Sequence, residues 1–398
     1  LQFYNWILEI AACEIEEMLA PPQKETALLA YMAEVMKERI QTADDITSEE
    51  KNLQIFIACK KALLKSDHIL ISFKLFKYYY ESDWPDVNFE KMQNLAQRIS
   101  VLKSKIDSDI KNPLGKKIFQ VISCYTAPFL VINDICAENP LEAETLFENS
   151  QTVEQKLLQV YSRRHHDCKE KIKRSSIRSV ISIFLSKIAL ALLIEIPVDV
   201  YITHAFSLPT LGINLITPPV LMFAIVSSIK APKPENATKI ILETIKIIKA
   251  SGKQETHKIK TPKKRSKLLN SILTLTYIMV SSLVFSAMVY WLLKIKFSWL
   301  SIAVFFAFFC LIAFSGIKTQ QWARELKMEE EKESLASFLT DLFFLPFIRI
   351  GKWLSGQIQK YNIFILALNL FFEAPLQTFF EFLESWRGYV KEKKEEME

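Results

Sequence analysis

The sequence predicts an all-α, multi-pass membrane protein with two transmembrane hairpins, a cytosolic helical N-terminal domain and an amphipathic C-terminal tail. Three observations carry that prediction. Hydrophobic residues make up 50% of the 398 and fall in blocks, where one large soluble core would spread them. Some blocks stay uncharged across a bilayer's thickness: Leu268 to Leu293 is 26 residues without a charge, about 39 Å of helix against a hydrocarbon core of about 30 Å. Glycine is scarce, 7 residues in all against a usual share of roughly 7%, which disfavours turn-rich β folds. Neither G-x-G-x-x-G nor G-x-x-x-x-G-K-[ST] occurs, so the two commonest nucleotide fingerprints are excluded.

Residues 1–172 read as the helical domain. Phe3, Trp6, Ile7, Ile10 and Cys13 form a helical stripe ended by Pro21-Pro22, and Leu28, Tyr31, Met32, Val35 and Met36 repeat it from Lys24 to Thr42. Thr47-Ser-Glu-Glu50 is a capping box opening a helix to about Lys65. Ile69 to Tyr80 is taken as helix from its neighbours, and Asp83-Trp84-Pro85-Asp86 as a turn. A helix from about Phe89 to Ile110 is closed by Asn112-Pro113-Leu114-Gly115; two shorter helices then bracket Pro128 and the Glu138-Asn139-Pro140 break. A long helix starts near Thr152 and heads for the membrane. Leu1 is not an initiator Met, as in a piece of a longer chain, and with four Glu residues before Ala20 the first stretch does not read as a signal peptide.

Residues 173–232 form the first hairpin, with spans at about 177–196 and 213–229. Arg163, Arg164, Lys169, Lys171, Lys173, Arg174 and Arg178 precede it and mark the cytosolic side. From Ile188 to Ile229 there is no Lys or Arg. Pro197 is expected to break the first span, with Asp199 to Leu211 as a short outer connection, and Pro218-Pro219 to kink the second. Ionisable groups in such a segment are costly and raise a functional hypothesis by default, so Lys187, Glu195, Asp199, His204, Pro218 and Pro219 form the candidate membrane polar site. Snorkelling of Lys187 towards the basic side is the plain alternative, because Glu195 is eight residues away and out of direct reach on a straight helix. Asp199, His204 and Ser207 hold acid, base and hydroxyl, but nothing like G-x-S-x-G supports a hydrolase.

Residues 233–267 join an amphipathic helix, with Ala237, Ile240, Ile241, Thr244, Ile245 and Ile248 on one face, to a polybasic linker. Lys253, Lys258, Lys260, Lys263, Lys264, Arg265 and Lys267 lack interleaved aromatics, which favours anionic lipid over nucleic acid. Residues 268–318 form the second hairpin, with spans at 268–293 and 297–317 about a Lys294-Ile295-Lys296 turn. The tail, 319–398, carries a phenylalanine-rich stripe ending at Pro346 and reads as helices on or against the cytosolic face; Tyr361 to Phe372 is too short to span. His165, His166 and Cys168 are too few for a zinc site, and six irregularly spaced cysteines suit a reducing compartment.

No catalytic constellation, cofactor or metal is expected. The sequence points to a membrane-anchored scaffold or adaptor in the plasma membrane with both termini cytosolic, binding anionic lipid, a protein partner or a second copy of itself. The alternative is a small channel or transporter that uses the polar first hairpin.

Overall fold

The structure, a computed structural model, describes the chain except for residues 1, 43–45, 81–88, 139, 141–142, 149, 203, 205–206, 229–234, 250–254, 261–265, 325, 327, 329–334, 362–381, 383–384 and 388–398. In chain order its elements are α1 (Gln2–Leu19), α2 (Gln23–Arg39), β1 (Ile40–Thr42), α3 (Ser48–Leu63), α4 (His68–Tyr80), α5 (Phe89–Lys111), α6 (Pro113–Glu138), α7 (Ala143–Glu148), α8 (Ser150–Leu190), a π-helical turn (Ala191–Glu195), α9 (Ile196–Tyr201), α10 (Leu208–Ser228), α11 (Glu235–Lys249), β2 (His257–Ile259), α12 (Lys267–Lys294), α13 (Trp299–Arg324) and α14 (Leu335–Tyr361). Among the described residues the fold is all-α apart from the two short strands. Five helical stretches are long and apolar enough to cross a membrane: Pro113–Glu138, Thr152–Tyr201, Leu208–Ile225, Leu268–Lys294 and Trp299–Gln321.

The chain divides into two compact units. The first combines Leu1–Lys173, Lys230–Ser271 and Gln321–Lys332; the second combines Arg174–Ile229, Ile272–Gln320 and Glu333–Glu398.

Local signals set the helix ends of the first unit. Thr47 caps α3, its hydroxyl accepting the Glu50 N–H at 3.2 Å. Asn112 Oδ1 accepts the Leu114 N–H at 2.9 Å, and Pro113, whose missing N–H costs nothing at the first position, opens α6. The expected break at Pro128 does not occur, and α6 runs through it. Tyr125, Thr126, Ala127, Pro128 and Phe129 are all buried, so packing on every side holds the helix across the hydrogen bond that Pro128 cannot make. A helix apolar all round is either a span or a core element. For α6, 56% of the apolar window is buried against 0% for that of α12, which separates a core helix from one with its sides open.

Around α6 the core has two lobes. Ile118, Ile122 and Phe129 pack with Met32, Met36, Ile55 and Cys59 of α2 and α3. Ala127, Val131 and Ile135 pack with Val153, Leu157 and Val160 of α8 and with Ile240 and Ile241 of α11. A further cluster, with Trp6, Ile57, Phe73, Phe76 and Ile106, joins α1, α3, α4 and α5.

The apolar face expected on residues 235–250 packs against protein: Ile240, Ile241 and Thr244 are buried, and Ala237, Ile245 and Ile248 are partly buried against the same two lobes. The linker after it is also partly folded. Residues 257–259 form β2, which pairs in parallel with β1 in the register Ile40–His257, Gln41–Lys258 and Thr42–Ile259. Leu326 is buried here too, and Asn236 clamps it by donating to the Leu326 carbonyl and accepting the Met328 N–H at 3.2 Å. The expected boundaries thus change, because an N-terminal domain of residues 1–172 alone would leave α6 and α8 with an open apolar face.

In the second unit, α12 ends in a Schellman motif. The Phe297 N–H bonds Leu292 O at 3.1 Å, the Lys296 N–H bonds Leu293 O at 2.9 Å, and Lys296 takes a left-handed φ of 65°. Leu292 and Phe297 complete the motif's apolar contact. The phenylalanine-rich tail departs from expectation. Instead of stopping at Pro346, α14 continues to Tyr361 and sets Phe347 against Phe285, Phe306 and Phe309 of α12 and α13. Gly351 allows the close crossing, since a Cβ there would collide with the Cys310 carbonyl oxygen.

Candidate functional site

The polar centre of the second unit grows from a local backbone event. Pro197 has no N–H to donate, and the turn before it widens to the π pattern, with the Ile196 N–H bonded to Ala191 O. The expected break is absent, and helix continues through Pro197 to Tyr201. The widened turn also changes which residues meet. On a straight α-helix Lys187 and Glu195 would be about 12 Å apart in rise and turned by about 80° about the axis. Here Lys187 Nζ lies 2.5 Å from Glu195 Oε1, with the side chains 0% and 1% exposed. Snorkelling is thereby replaced by a closed ion pair.

Asn214 of α10 donates from Nδ2 to Glu195 Oε2 at 2.8 Å, so each carboxylate oxygen has a donor. The Phe308 ring lies 5.4 Å from the ammonium and offers its negative face. Among the described residues Asn214 Oδ1 has no partner. Pro218 sits four residues on and cannot bond the Asn214 main-chain carbonyl, so acceptor capacity collects at this one residue. Such a cluster ties α8, α10 and α13 together through one neutralised pair. Truncating one partner strands a charge, which typically costs 3–5 kcal/mol.

The other predicted residues fall out differently. Asp199 accepts from Ser301 Oγ at 3.3 Å. His204 is exposed, with a left-handed φ of 49°, and Ser207 is half-buried at the head of α10. Pro218 and Pro219 lie inside α10, which runs on through both. Thr217 Oγ1 back-bonds Ile213 O at 2.5 Å beside them. Lys258 and Lys260 stand exposed on and beside β2. Lys267 begins α12. Lys253, Lys263, Lys264 and Arg265 lie outside the described residues, as do the Asp83–Asp86 turn and Tyr361 to Phe372 apart from Tyr361 itself. Sequence reasoning missed Asn214 and Phe308. The amide was a visible signal, a lone Asn amid apolar residues; Phe308 was one phenylalanine among 28.

The first unit holds a second polar cluster. Arg39, at the end of α2 and 1% exposed, makes a buried ion pair with Glu243 of α11, and its guanidinium lies 5.1 Å from the Tyr125 ring centre. Lys246 Nζ stands 3.3 Å from the other Glu243 oxygen. Burial pushes the Tyr125 phenol up to about 12, the nearby Glu243 charge adding to it, so the hydroxyl stays a donor facing His257 Nε2 at 2.7 Å. On α8, His165 stacks on Tyr161 and His166 lies 3.6 Å from Glu170. Among the described residues no three His, Cys, Asp or Glu side chains gather as a metal site.

Compared with protein-family models, with curated proteins and with solved structures, the chain matches none.

Proposed function

We propose that the chain is a membrane-anchored scaffold or adaptor without catalytic activity, in which two transmembrane hairpins hold a helical domain on the cytosolic face. The observation that carries this reading is the make-up of the first unit from three separate stretches. One precedes the apolar helices ending in α10, one lies between α10 and α12, and one follows α13. Stretches that share a core lie on one side of a bilayer, so each apolar stretch between them makes an even number of crossings. That arithmetic favours hairpins at α8–α10 and α12–α13, with α6 as a core helix.

Two further features agree with it. The seven Arg and Lys residues from Arg163 to Arg178 flank the first apolar stretch on the side of the helical unit, as the positive-inside rule expects of a cytosolic domain. Leu268, Leu275, Met279 and Leu283 of α12 are 77%, 68%, 72% and 68% exposed, an apolar surface that suits lipid and not water. A plasma-membrane location with both termini cytosolic completes the reading, with anionic lipid, a protein partner or a second copy as the bound species.

The closed Lys187–Glu195 pair at a π-turn favours one other reading, a small channel or transporter, since such turns and intramembrane charges concentrate at transport sites. Ion flux into liposomes carrying wild type or Lys187→Leu separates the two. The scaffold reading expects no flux from either; flux in wild type that vanishes in the variant overturns it. Single-cysteine labelling checks the topology. Lys24→Cys and Lys258→Cys should react from the cytosolic side and Ser207→Cys from the other; Ser207→Cys reacting from the cytosolic side removes the first hairpin.

A further inference from the structure

The first unit contains a groove of about 920 Å³ walled by α6, α11 and β2. That volume falls in the range of small-molecule sites. Five lysines line it from those three elements and the residue after β2: Lys117, Lys239, Lys246, Lys258 and Lys260. Against them stand Glu255 and Glu243, and Arg39 already offsets Glu243 in the buried pair. The concavity therefore carries a surplus of positive charge.

Two properties separate this groove from a merely basic surface. Lys117 of α6 lies more than 100 residues before the other four, which span positions 239 to 260, so the fold gathers them around one concavity. The floor is also fixed. Tyr125 is 4% exposed and faces His257, and Lys117 donates to the Lys260 carbonyl at 3.1 Å, pinning α6 to the chain just after β2. Like charges focused in a walled cleft repel one another and attract an anion of matching size. Lysine ammoniums act on phosphate as point charges from several directions, which suits a small anion with more than one phosphate.

We propose that this groove binds a compact, multiply phosphorylated anion of the kind carried by phosphorylated inositol headgroups, either free or on a lipid. The site deepens the scaffold reading by naming what the helical domain holds, and it rests on that reading only for its link to a membrane. The chain's next apolar helix opens at Leu268, eight residues after Lys260, which keeps the lipid-borne form within the same stretch of chain.

The test is calorimetric titration of the detergent-solubilised full chain with inositol 1,4,5-trisphosphate. In parallel, the chain reconstituted in nanodiscs of phosphatidylcholine, with and without phosphatidylinositol 4,5-bisphosphate, is titrated with the same soluble compound as competitor. Saturable binding should weaken at least tenfold in Lys117→Glu/Lys258→Glu, whose reversals fall on α6 and β2, while Lys105→Glu on α5 leaves it unchanged. Direct binding of the free compound in detergent supports the site, and equal binding in discs with and without the phosphorylated lipid assigns a soluble ligand. Binding of the free compound only in discs lacking the phosphorylated lipid shows that the lipid occupies the groove, and this also supports the site. Equal weakening by Lys105→Glu overturns the groove, as does the absence of binding to a folded chain in every arm. Neither result bears on the hairpin topology, which the cysteine labels test separately.

Discussion

The Arg39–Glu243 pair joins residues 204 apart in sequence and allows a quantitative test of the composite unit. In Glu243→Leu, Arg39 keeps its charge at 1% exposure beside the uncharged Tyr125, and among the described residues its Nε already lacks a partner. An uncompensated buried charge costs about 3–5 kcal/mol. With about 2–4 °C per kcal/mol for a unit of this size, the midpoint should fall by about 10 °C. Arg39→Met should cost about half as much. The stranded Glu243 has Lys246 at 3.3 Å, and that lysine is 46% exposed and free to close on it. The double variant Arg39→Met/Glu243→Leu removes both desolvated charges and should return to within about 3 °C of wild type or above it. Thermal unfolding of the solubilised full chain, followed by tryptophan fluorescence, reads all three. Additive losses in the double variant would refute the pairing, and with it the docking of α11 on the first 173 residues.

Other variants test separate parts of the account. Glu195→Leu strands Lys187 and should destabilise far more than Asn214→Leu, which removes one membrane hydrogen bond worth about 1 kcal/mol; thermal unfolding of the second unit gives the order, and the reverse order contradicts the pair-centred site. Burial lowers Lys60 to about 8, with Lys74 adding to the shift. At this site the folded state holds fewer protons than the unfolded state between about pH 8 and 10.5, while burial shifts thiols such as Cys59 the opposite way, so the Lys60 contribution is read by difference. Lys60→Met should melt higher than wild type at pH 7, and that gap should close by roughly 3 kcal/mol between pH 8 and 10.5. Gly351→Val drives a side chain into the Cys310 carbonyl and should lift α14 from α13, speeding thiol labelling of the 2%-exposed Cys310 at least tenfold.

The sequence made the helices legible where pattern and punctuation agreed. The Thr47 cap, the Asn112-Pro113 boundary and the uncharged runs at Leu268 and Phe297 all reappear as elements. It misled where proline was read as a stop. At Pro128, Pro197 and Pro346 the helix continues, because a span or core held by its neighbours tolerates one missing hydrogen bond. The face of α11 was readable from its period, but whether that face meets lipid or protein depends on α6 and α8, far away in sequence. The same limit hid the site. Lys187 and Glu195 were both visible, yet their meeting requires the π-turn, and Asn214 arrives from another helix. Strands of three residues carry too little periodicity to be seen at all.

The central claim is that stretches on either side of the first apolar hairpin fold into one domain on one face of the membrane. Gln41 and Lys258 are register partners in β1 and β2. Their double replacement by cysteine, with the native cysteines changed to alanine, can be oxidised in intact membranes and scored by gel mobility before and after reduction. An intramolecular disulfide that forms rapidly, with both thiols reactive from the same side beforehand, is the predicted result. Thiols that label from opposite sides and never cross-link would contradict the account.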